Sequence, residues 1–333
     1  GQDVARGTFS QRHLTLHDAR TGALYTPLER LPQARASVEV RNSPLSETAA
    51  LGFDYGYSLQ ASEALVLWEA QYGDFINSAQ VIVDEFVASG QAKWGLISGL
   101  ILLLPHGYEG QGPDHSSARP ERFLELAAEE NIRVVSPTTA GQYFHMLRRQ
   151  AASLGPFARP LIVMTPKSLL RHPLAESPLA ELSKGRFLPL LDDARAVKPD
   201  KIRRLVLCSG KVWVDVEASP ARAAPRPEGT RHPADLALLR VEELYPFPDE
   251  ELRTLLARYR RVKEVVWLQE EPRNMGAWVF VAPRLRELIG DRELRYVGRP
   301  EMASPAEGWG HAHAVEQRRI VEAVFEGVAS HAG

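Results

Sequence analysis

The chain has 333 residues, of which 44% are hydrophobic and 25% are charged, and its formal net charge is −2 at pH 7. This composition is that of a folded globular protein, and it excludes disordered, collagen-like and coiled-coil chains. Because the net charge is close to zero, it provides no chain-wide attraction for nucleic acid, and any anion-binding site must be local.

Cys208 is the single cysteine, which excludes an internal disulfide and a metal site built from several cysteines. Such cysteine usage is typical of a reducing compartment, so we expect the bacterial cytoplasm, or the mitochondrial matrix of a eukaryote. The most apolar run, Trp94 to Leu104, is shorter than the roughly 20 residues of a membrane-spanning helix. The opening residues, Gly1 to Gly7, include neither an initiator methionine nor an apolar signal sequence, and we expect the interior of a longer polypeptide.

From about residue 36, short β-branched or leucine-rich runs alternate with longer amphipathic stretches, which predicts parallel sheets covered by helices. The strands predicted in the first half are Ser37–Arg41, Ala64–Trp68, Ile97–Leu104, Arg133–Val135 and Leu161–Thr165. The helices predicted between them are Phe75–Ser89, which Gly90 would cap, one that begins after Pro120, and His145–Ala151. This half is therefore predicted to be a doubly wound α/β domain.

Four prolines and no sustained period between residues 171 and 203 predict a connector without regular structure. A second alternation follows, with predicted strands Leu205–Ser209, Leu236–Val241, Glu264–Leu268 and Leu294–Val297, and helices near Asp249–Arg258, Ala277–Leu288 and Val315–Phe325. The stretch from Ser219 to Pro233 is rich in proline, alanine and arginine and predicts a mobile surface insertion. We therefore predict domains at 1–172 and 203–333, joined by a connector at 173–202.

The sequence contains no Walker phosphate loop, no H-E-x-x-H, no G-x-S-x-G and no G-x-G-x-x-G. Gly107, Gly110 and Gly112 instead form a flexible turn after the most apolar predicted strand. Because α/β folds bind ligands at the carboxyl ends of their strands, this turn is a candidate ligand loop of low specificity.

Glu47 lies where the first predicted strand ends and a helix begins, since apolar side chains continue from Ala49 at helical spacing. One interpretation is a carboxylate that complements the helix dipole. The other is a general acid or base, for which burial against Leu45 and aromatic neighbours would have to raise the pKa. Downstream, Phe75 follows another predicted strand, where it is either part of the core or an apolar face for a flat heteroaromatic ligand.

His106 and His115 bracket the glycine turn, and no third metal ligand accompanies them, so hydrogen bonding or proton handling is favoured over metal binding. Alternatively, His115 is a polar loop residue, and Ser116 and Ser117 cap the helix that follows. A basic group surrounds the last strand of the first half: Arg148, Arg149, Arg159, Lys167 and Arg171. It is either a solvated face, a dimer contact or the site of an anionic effector.

Twelve segments together resemble one known family, the thiamine-diphosphate-dependent decarboxylase component of the 2-oxoglutarate dehydrogenase complex. They occur in family order at Gly1–Asp3, Arg6–Phe9, Leu45–Glu47, Phe53–Tyr57, Trp68–Phe75, Leu104–Gly112, His115–Arg119, Pro166–Arg171, Cys208–Lys211, Leu244–Pro248, Gln269–Pro272 and Gly298–Pro300. The resemblance spans nearly the whole chain, and it implies a transketolase-like α/β fold with two doubly wound domains and mainly parallel sheets.

The resemblance covers only the carboxyl-terminal half of that family's subunit, namely the pyrimidine-binding and carboxyl-terminal domains. The family holds the cofactor's diphosphate and Mg²⁺ in its other half, through a Gly-Asp-Gly…Asn motif that this chain lacks. We therefore expect either a fragment or a natural half-subunit, and we expect the isolated chain to be inactive.

The resemblance also assigns roles to individual residues. Glu47 matches the glutamate that hydrogen-bonds the aminopyrimidine ring of thiamine diphosphate and so activates the cofactor. Gln71 and Phe75 match positions beside that ring, and Leu45 is placed to support the bent cofactor. His115 matches an active-site histidine that hydrogen-bonds the substrate or assists transfer to a lipoyl group.

The same family implies the partners. Its active sites lie between two subunits, so we expect a homodimer, and its acyl acceptor is a dihydrolipoyl succinyltransferase core with lipoyl domains. Arg149, Arg159, Lys167 and Arg171 resemble a region where some members bind acetyl-coenzyme A as an effector. We expect no nucleic acid, no membrane partner and no metal ligand within this chain.

Four functions remain open. The leading prediction is oxidative decarboxylation of 2-oxoglutarate with succinyl transfer to lipoamide. A 2-oxoadipate dehydrogenase or a non-oxidative 2-oxoglutarate decarboxylase would share every motif. The fourth, of another class, is a non-catalytic dimerisation and docking module.

Overall fold

The computed structural model describes residues 1–196, 198–223 and 235–326. The strands are β1 Leu16–His17, β2 Leu24–Tyr25, β3 Leu67–Glu69, β4 Ile101–Leu104, β5 Arg133–Val135, β6 Leu161–Met164, β7 Leu190–Leu191, β8 Arg204–Cys208, β9 Leu236–Val241, β10 Glu243–Tyr245, β11 Glu264–Pro272 and β12 Glu293–Arg299. The α-helices are α1 Glu47–Gln60, α2 Gln80–Ile82, α3 Gly90–Trp94, α4 Pro120–Glu125, α5 Ala140–Ala152, α6 Leu179–Lys184, α7 Val212–Glu217, α8 Pro220–Ala223, α9 Asp249–Arg258, α10 Trp278–Ile289 and α11 Gly310–Ala323.

Two five-stranded sheets organise the described residues. The first has the order β10-β5-β6-β4-β3 and the second the order β12-β11-β8-β9-β7. In each sheet four neighbouring strands are parallel and the remaining edge strand, β10 or β7, is antiparallel. Because the central strands are buried on both faces, their sequences are continuous apolar runs, as in Leu205–Cys208. The predicted α/β class with mainly parallel sheets is confirmed.

The two halves of the chain share one apolar core. A single cluster of buried side chains includes Leu104 and Phe123 from the first half and Trp267 and Ala277 from the second. Strand β10 strengthens the junction, because it belongs to the second half of the chain but pairs with β5 in the first sheet. The carboxyl ends of the two sheets also meet, because His106, after β4, contacts Glu271 of β11.

Most predicted strands form within one to four residues of their predicted bounds, and β5 and β9 match them. The segment Ser37–Arg41 was predicted as a strand and is not one. Its side chains are exposed or half-buried, so its alternation of valine with polar residues has no sheet partner to stabilise it.

The helix predicted at 75–89 is irregular. It consists of a 3₁₀ helix at Gly73–Ala79, the short α2 and a wide π turn at Val83–Val87. Gly90 does not cap it but begins α3, which ends at Gly95 in the left-handed conformation, with φ at 68°. A Cβ atom on Gly90 would lie 2.4 Å from the Tyr55 hydroxyl, so the close approach of Tyr55 explains the glycine.

The segment predicted as an irregular connector contains α6 and β7. Strand β7 forms there because it pairs with β9 and becomes an edge strand of the second sheet. Of the predicted mobile insertion at 219–233, residues 224–233 lie outside the described residues. Its first residues are ordered by burial: Ser219 and Arg222 are buried, and Arg222 forms an ion pair with Asp193 at 2.5 Å.

Candidate active site

The first candidate side chain lies at the beginning of α1. Ser46 is the N-cap of this helix, and its side chain accepts a hydrogen bond from the Ala49 N–H at 3.4 Å. Glu47 is therefore the first helical residue, where the helix dipole favours its negative charge. The side chain is half-buried, and Oε2 accepts a hydrogen bond from the Ser78 hydroxyl at 3.1 Å.

Ser78 links this carboxylate to the segment that follows β3. Its hydroxyl also lies 3.0 Å from the Phe75 carbonyl oxygen, and it can donate to either acceptor. The Thr48 hydroxyl donates to the Ser78 carbonyl oxygen, which forms a second bond between α1 and the 3₁₀ helix at Gly73–Ala79. The start of α1 and the Phe75 turn are thus held side by side.

Four rings form an aromatic cluster, of which Phe75 lies three residues before Ser78: Phe9, Tyr72, Phe75 and His115. The Tyr72 and His115 rings meet edge to face with centroids 4.3 Å apart, and the Phe75 and His115 centroids are 6.0 Å apart. Phe9 extends the cluster through its 5.5 Å contact with Tyr72. Phe75 and His115 follow different strands, β3 and β4, so the parallel sheet brings them together at its carboxyl edge.

The other two predicted cofactor residues lie close by in the chain. Gln71 is half-buried immediately before Tyr72. Leu45 precedes the N-cap of α1 and is 58% exposed, so its apolar side chain has little protein cover.

The two histidines around the glycine turn have different surroundings. His115 is exposed, whereas His106 is buried and contacts Glu271 of the second half at 3.0 Å. The alternative prediction that Ser116 and Ser117 cap α4 is wrong, because the N-cap position is Arg119 and no side chain caps this helix. The Ser116 hydroxyl donates to the Gly112 carbonyl oxygen at 2.7 Å and Ser117 accepts from the Arg119 N–H, because the tight loop needs these partners for its own backbone.

The four predicted effector residues contact different partners. Arg149 donates two hydrogen bonds, of 2.7 and 2.8 Å, to the buried Glu243 carboxylate. Arg159 donates to the Glu130 carbonyl oxygen at 3.1 Å. Lys167 lies 3.4 Å from Glu109, and Arg171 donates to the Phe9 carbonyl oxygen at 3.3 Å. Only the last two approach the aromatic cluster, through Phe9.

A cavity of about 460 Å³ adjoins the aromatic cluster at the carboxyl edge of the first sheet. Phe9 and Arg171 line it, together with an ion pair between Arg12 and Glu69. Tyr143 also lines it, and burial with the nearby Glu69 charge raises the pKa of this phenol to about 12. The Tyr143 hydroxyl is therefore a neutral hydrogen-bonding group in the wall.

A buried charged cluster, which sequence reasoning missed, lies at the carboxyl edge of the second sheet. Lys211 Nζ is 2.7 Å from Glu270 and 2.5 Å from Asp215, and Gln317 donates to both carboxylates. Burial opposes the charge on Lys211, but the two carboxylates outweigh it and raise the pKa of the amine. The resemblance includes the segments Gln269–Pro272 and Cys208–Lys211. The ion pair between Lys211 and Glu270 joins residues 59 positions apart, so no local sequence pattern predicts it.

Two negative findings concern the described residues only. Across 1–196, 198–223 and 235–326, no three histidine, cysteine or acidic side chains are grouped as metal ligands. Over the same ranges, no helix has the length and apolar character needed to cross a lipid bilayer.

Residues 1–173 match the family model of the transketolase pyrimidine-binding domain. The chain belongs to this family. Residues 176–325 match a second model, described as the 2-oxoglutarate dehydrogenase C-terminal domain. The transketolase-like fold implied by the resemblance is thus confirmed, and Glu47, Gln71, Phe75 and His115 all lie within the pyrimidine-binding domain.

Curated relatives support the same grouping. The chain is 54% identical over 327 residues to the 2-oxoglutarate dehydrogenase E1 components of Bacillus cereus strain AH187, Bacillus mycoides strain KBAB4 and Bacillus anthracis strain A0248. The alignments cover 96% of this chain and 34% of each relative, so the chain spans about a third of their length. The resemblance to the carboxyl-terminal part of this component is confirmed.

Proposed function

We propose that this chain forms the carboxyl-terminal part of a 2-oxoglutarate dehydrogenase E1 component. The reaction is oxidative decarboxylation of 2-oxoglutarate with succinyl transfer to a lipoyl group, a step of the tricarboxylic acid cycle. The observation that carries this proposal is the half-buried Glu47 carboxylate at the start of α1, which Ser78 joins to the segment that carries Phe75. The term complete enzyme is used below for this chain joined to the additional region that its curated relatives contain.

The residues present fit the aminopyrimidine part of thiamine diphosphate. A flat, polar heterocycle needs an acceptor for a ring proton and an apolar wall, and Glu47 and Phe75 offer these on two segments that Ser78 joins. Leu45 is exposed in front of the α1 terminus and can cover one face of a bent ligand. We expect the residues that bind the diphosphate and Mg²⁺ to lie in the part of the relatives that this chain does not match.

When bound, thiamine diphosphate supplies the electron sink for the pair released by decarboxylation. Glu47 holds a proton at Oε2 or accepts one there, and Ser78 fixes the carboxylate's orientation. Phe75 and Tyr72 exclude water from the side of the site that they cover. His115 extends an exposed ring beside them and can donate a hydrogen bond to a substrate carboxylate or move a proton during acyl transfer.

Exposed apolar side chains around α1 support a homodimer. Phe53 and Tyr57, stacked with centroids 6.2 Å apart, are 66% and 48% exposed on the helix that begins with Glu47. Val81 and Trp94 are exposed on the segment that follows Phe75. Because exposed aromatic and aliphatic groups of this kind mark interaction surfaces, we infer that a second copy covers this face and completes the site.

The remaining partners follow from the same assignment. A dihydrolipoyl succinyltransferase core with lipoyl domains would accept the acyl group, in the bacterial cytoplasm. For the acetyl-coenzyme A effector, Arg149, Arg159, Lys167 and Arg171 remain the proposed contacts, of which Arg149 and Lys167 already pair with Glu243 and Glu109. Arg159→Ala in the complete enzyme should weaken the response to acetyl-coenzyme A and leave basal turnover unchanged.

Substrate assays test the proposed reaction. The complete enzyme is supplied with 2-oxoglutarate or 2-oxoadipate, with and without a lipoyl acceptor. We expect turnover of 2-oxoglutarate that produces succinyl-lipoamide. Preference for 2-oxoadipate, or decarboxylation that ignores the acceptor, would support the two related enzymes instead. Absence of any turnover would favour a dimerisation and docking module.

A further inference from the structure

The loop that carries His115 is closed at its base. This histidine loop comprises residues 107–117, and the Gly107 N–H donates to the Ser116 carbonyl oxygen at 2.9 Å. Just outside this bond, the Ala118 N–H donates to Nδ1 of His106 at 3.0 Å. The two ends of the loop are thus joined by one backbone bond and one imidazole bond.

The loop base also meets the segment that carries Tyr72. The Gly73 N–H donates to the Pro105 carbonyl oxygen at 2.9 Å. A Cβ atom on Gly73 would lie 2.4 Å from the Ala118 Cβ, so only glycine permits this approach. Because Gly73, Pro105 and Ala118 converge here, the position of the loop base determines where the His115 ring meets Tyr72.

The His106 ring connects this base to the second half of the chain. Since Nδ1 accepts the Ala118 N–H, the neutral ring carries its proton on Nε2, which donates to Glu271 Oε1 at 3.0 Å. Both side chains are largely excluded from solvent, with 9% and 13% exposed. Glu271 therefore selects the tautomer that leaves Nδ1 free to accept the loop's backbone.

The charges around Glu271 keep it ionised for this role. Burial alone would raise its pKa, but the hydrogen bond from His106 and the Arg299 guanidinium bring the pKa below its ordinary value. The other acidic groups near the pair are Glu121 and Glu270. An ionised Glu271 is a stronger acceptor than a neutral one.

Further contacts brace the loop without reaching the Ala118 N–H. Tyr108 is buried under the Arg299 guanidinium, 4.7 Å from its ring centroid, and Arg299 is fixed by Glu307 at 2.7 Å. On the other side, Glu109 accepts a hydrogen bond from the Ser168 N–H at 3.0 Å. These contacts hold the body of the loop, whereas His106 bridges its end to Glu271.

We propose that Glu271 is a positioning residue for His115, acting through the His106 ring and the backbone N–H of Ala118. The role of His115 in turnover rests on the proposed function, whereas the contact itself does not. The carboxyl-terminal domain thus contributes to the active site without touching substrate or cofactor.

Two variants separate the hydrogen bond from the charge. Glu271→Ala removes the acceptor for Nε2–H, so we expect kcat of the complete enzyme to fall about tenfold, while KM for 2-oxoglutarate changes by less than about twofold. Glu271→Gln keeps an acceptor oxygen and should restore most of kcat. The matched control is Glu264→Ala, because Glu264 is on the same strand and pairs with Arg204 and Arg295 at its opposite end.

Two measurements on the 333-residue chain test the contact without turnover. In wild type and Glu271→Gln, ¹⁵N spectra of histidine should show the Nε2–H tautomer of His106, and Glu271→Ala should lose it. Amide hydrogen exchange in residues 107–118 should rise in Glu271→Ala and stay unchanged in Glu264→Ala.

Unchanged exchange and an unchanged tautomer in Glu271→Ala would overturn the proposal. So would an equal loss of kcat in Glu264→Ala and Glu271→Ala, since that loss would be one of general stability. If the complete enzyme decarboxylates no 2-oxo acid but exchange rises as expected, the positioning contact stands and the proposed function fails.

Discussion

The Glu47 carboxylate and the Ser78 hydroxyl are hydrogen-bonded at 3.1 Å, across the gap between the start of α1 and the turn that follows β3. This bond ties the Oε2 atom to the segment that carries Phe75 rather than to its own helix. A carboxylate that only complemented the helix dipole would not need such a partner from another segment.

Ser78→Ala tests this orientation. We expect turnover of the complete enzyme to fall several-fold, because Glu47 loses its partner, while the free energy of unfolding falls by less than about 1.5 kcal/mol for one hydrogen bond. The control is Ser183→Ala, which removes an exposed hydroxyl that donates to the Ala180 carbonyl oxygen. Equal turnover in the two variants would contradict the orienting role.

Phe53→Asp tests the proposed dimer contact at the exposed Phe53 and Tyr57 rings of α1. A charge placed on an apolar contact between two copies should dissociate the dimer of the complete enzyme, because the buried aspartate would have no partner. Sedimentation velocity should show a shift toward the monomer, with loss of turnover. Phe157→Asp is the matched control, since Phe157 is 80% exposed elsewhere in the first domain. A mass that stays that of a dimer in Phe53→Asp would argue against this interface.

Glu271 also predicts a pH dependence of stability. Because its folded-state pKa lies below its ordinary value of 4.5, its contribution is present above about pH 4.5 and is lost as pH falls through the folded-state pKa. Between about pH 5.5 and pH 4, the free energy of unfolding should therefore fall more steeply in wild type than in the double variant His106→Gln with Glu271→Gln, which removes both titrating groups of the pair. Urea denaturation at each pH measures both slopes, and parallel slopes would refute the assigned charge state.

Lys211→Met tests the buried charged cluster. Removal of the amine leaves Glu270 and Asp215 without their cation, and breaking a buried ion pair in this way costs about 3–5 kcal/mol. Urea denaturation of the 333-residue chain should show this loss, and Lys211→Met with Glu270→Gln should recover part of it. Lys93→Met is the control, because its pair with Glu85 is exposed. A loss below about 1 kcal/mol in Lys211→Met would contradict the account.

Local pattern was sufficient for the parts of the fold that have strong local signals. Arg133–Val135, Leu236–Val241 and Asp249–Arg258 form where apolar runs or helical spacing predicted them. Ser37–Arg41 carries the same kind of alternation, but a strand also needs a neighbour, and a sequence pattern does not show whether one is present.

Long-range pairings were beyond the reach of the sequence pattern. Strand β10 joins the first sheet although it follows β9 of the second, and Arg133 and Arg149 form ion pairs with its Glu243 there. His106 and Glu271 are 165 positions apart, and the sequence around each residue does not indicate that the two are in contact. For the candidate site, the resemblance predicted Glu47, Phe75 and His115, whereas the contributions of Tyr72 and Ser78 became visible only in the structure.

The most direct test of the central claim is Glu47→Gln in the complete enzyme, with Glu63→Gln, an exposed position just after α1, as the matched control. Glutamine keeps the size of the side chain but cannot exchange a carboxyl proton. Glu47→Gln should therefore lower kcat for 2-oxoglutarate by about a hundredfold or more at unchanged thermal stability, and Glu63→Gln should not. Turnover by Glu47→Gln within about twofold of wild type would contradict the assignment of this carboxylate to cofactor activation.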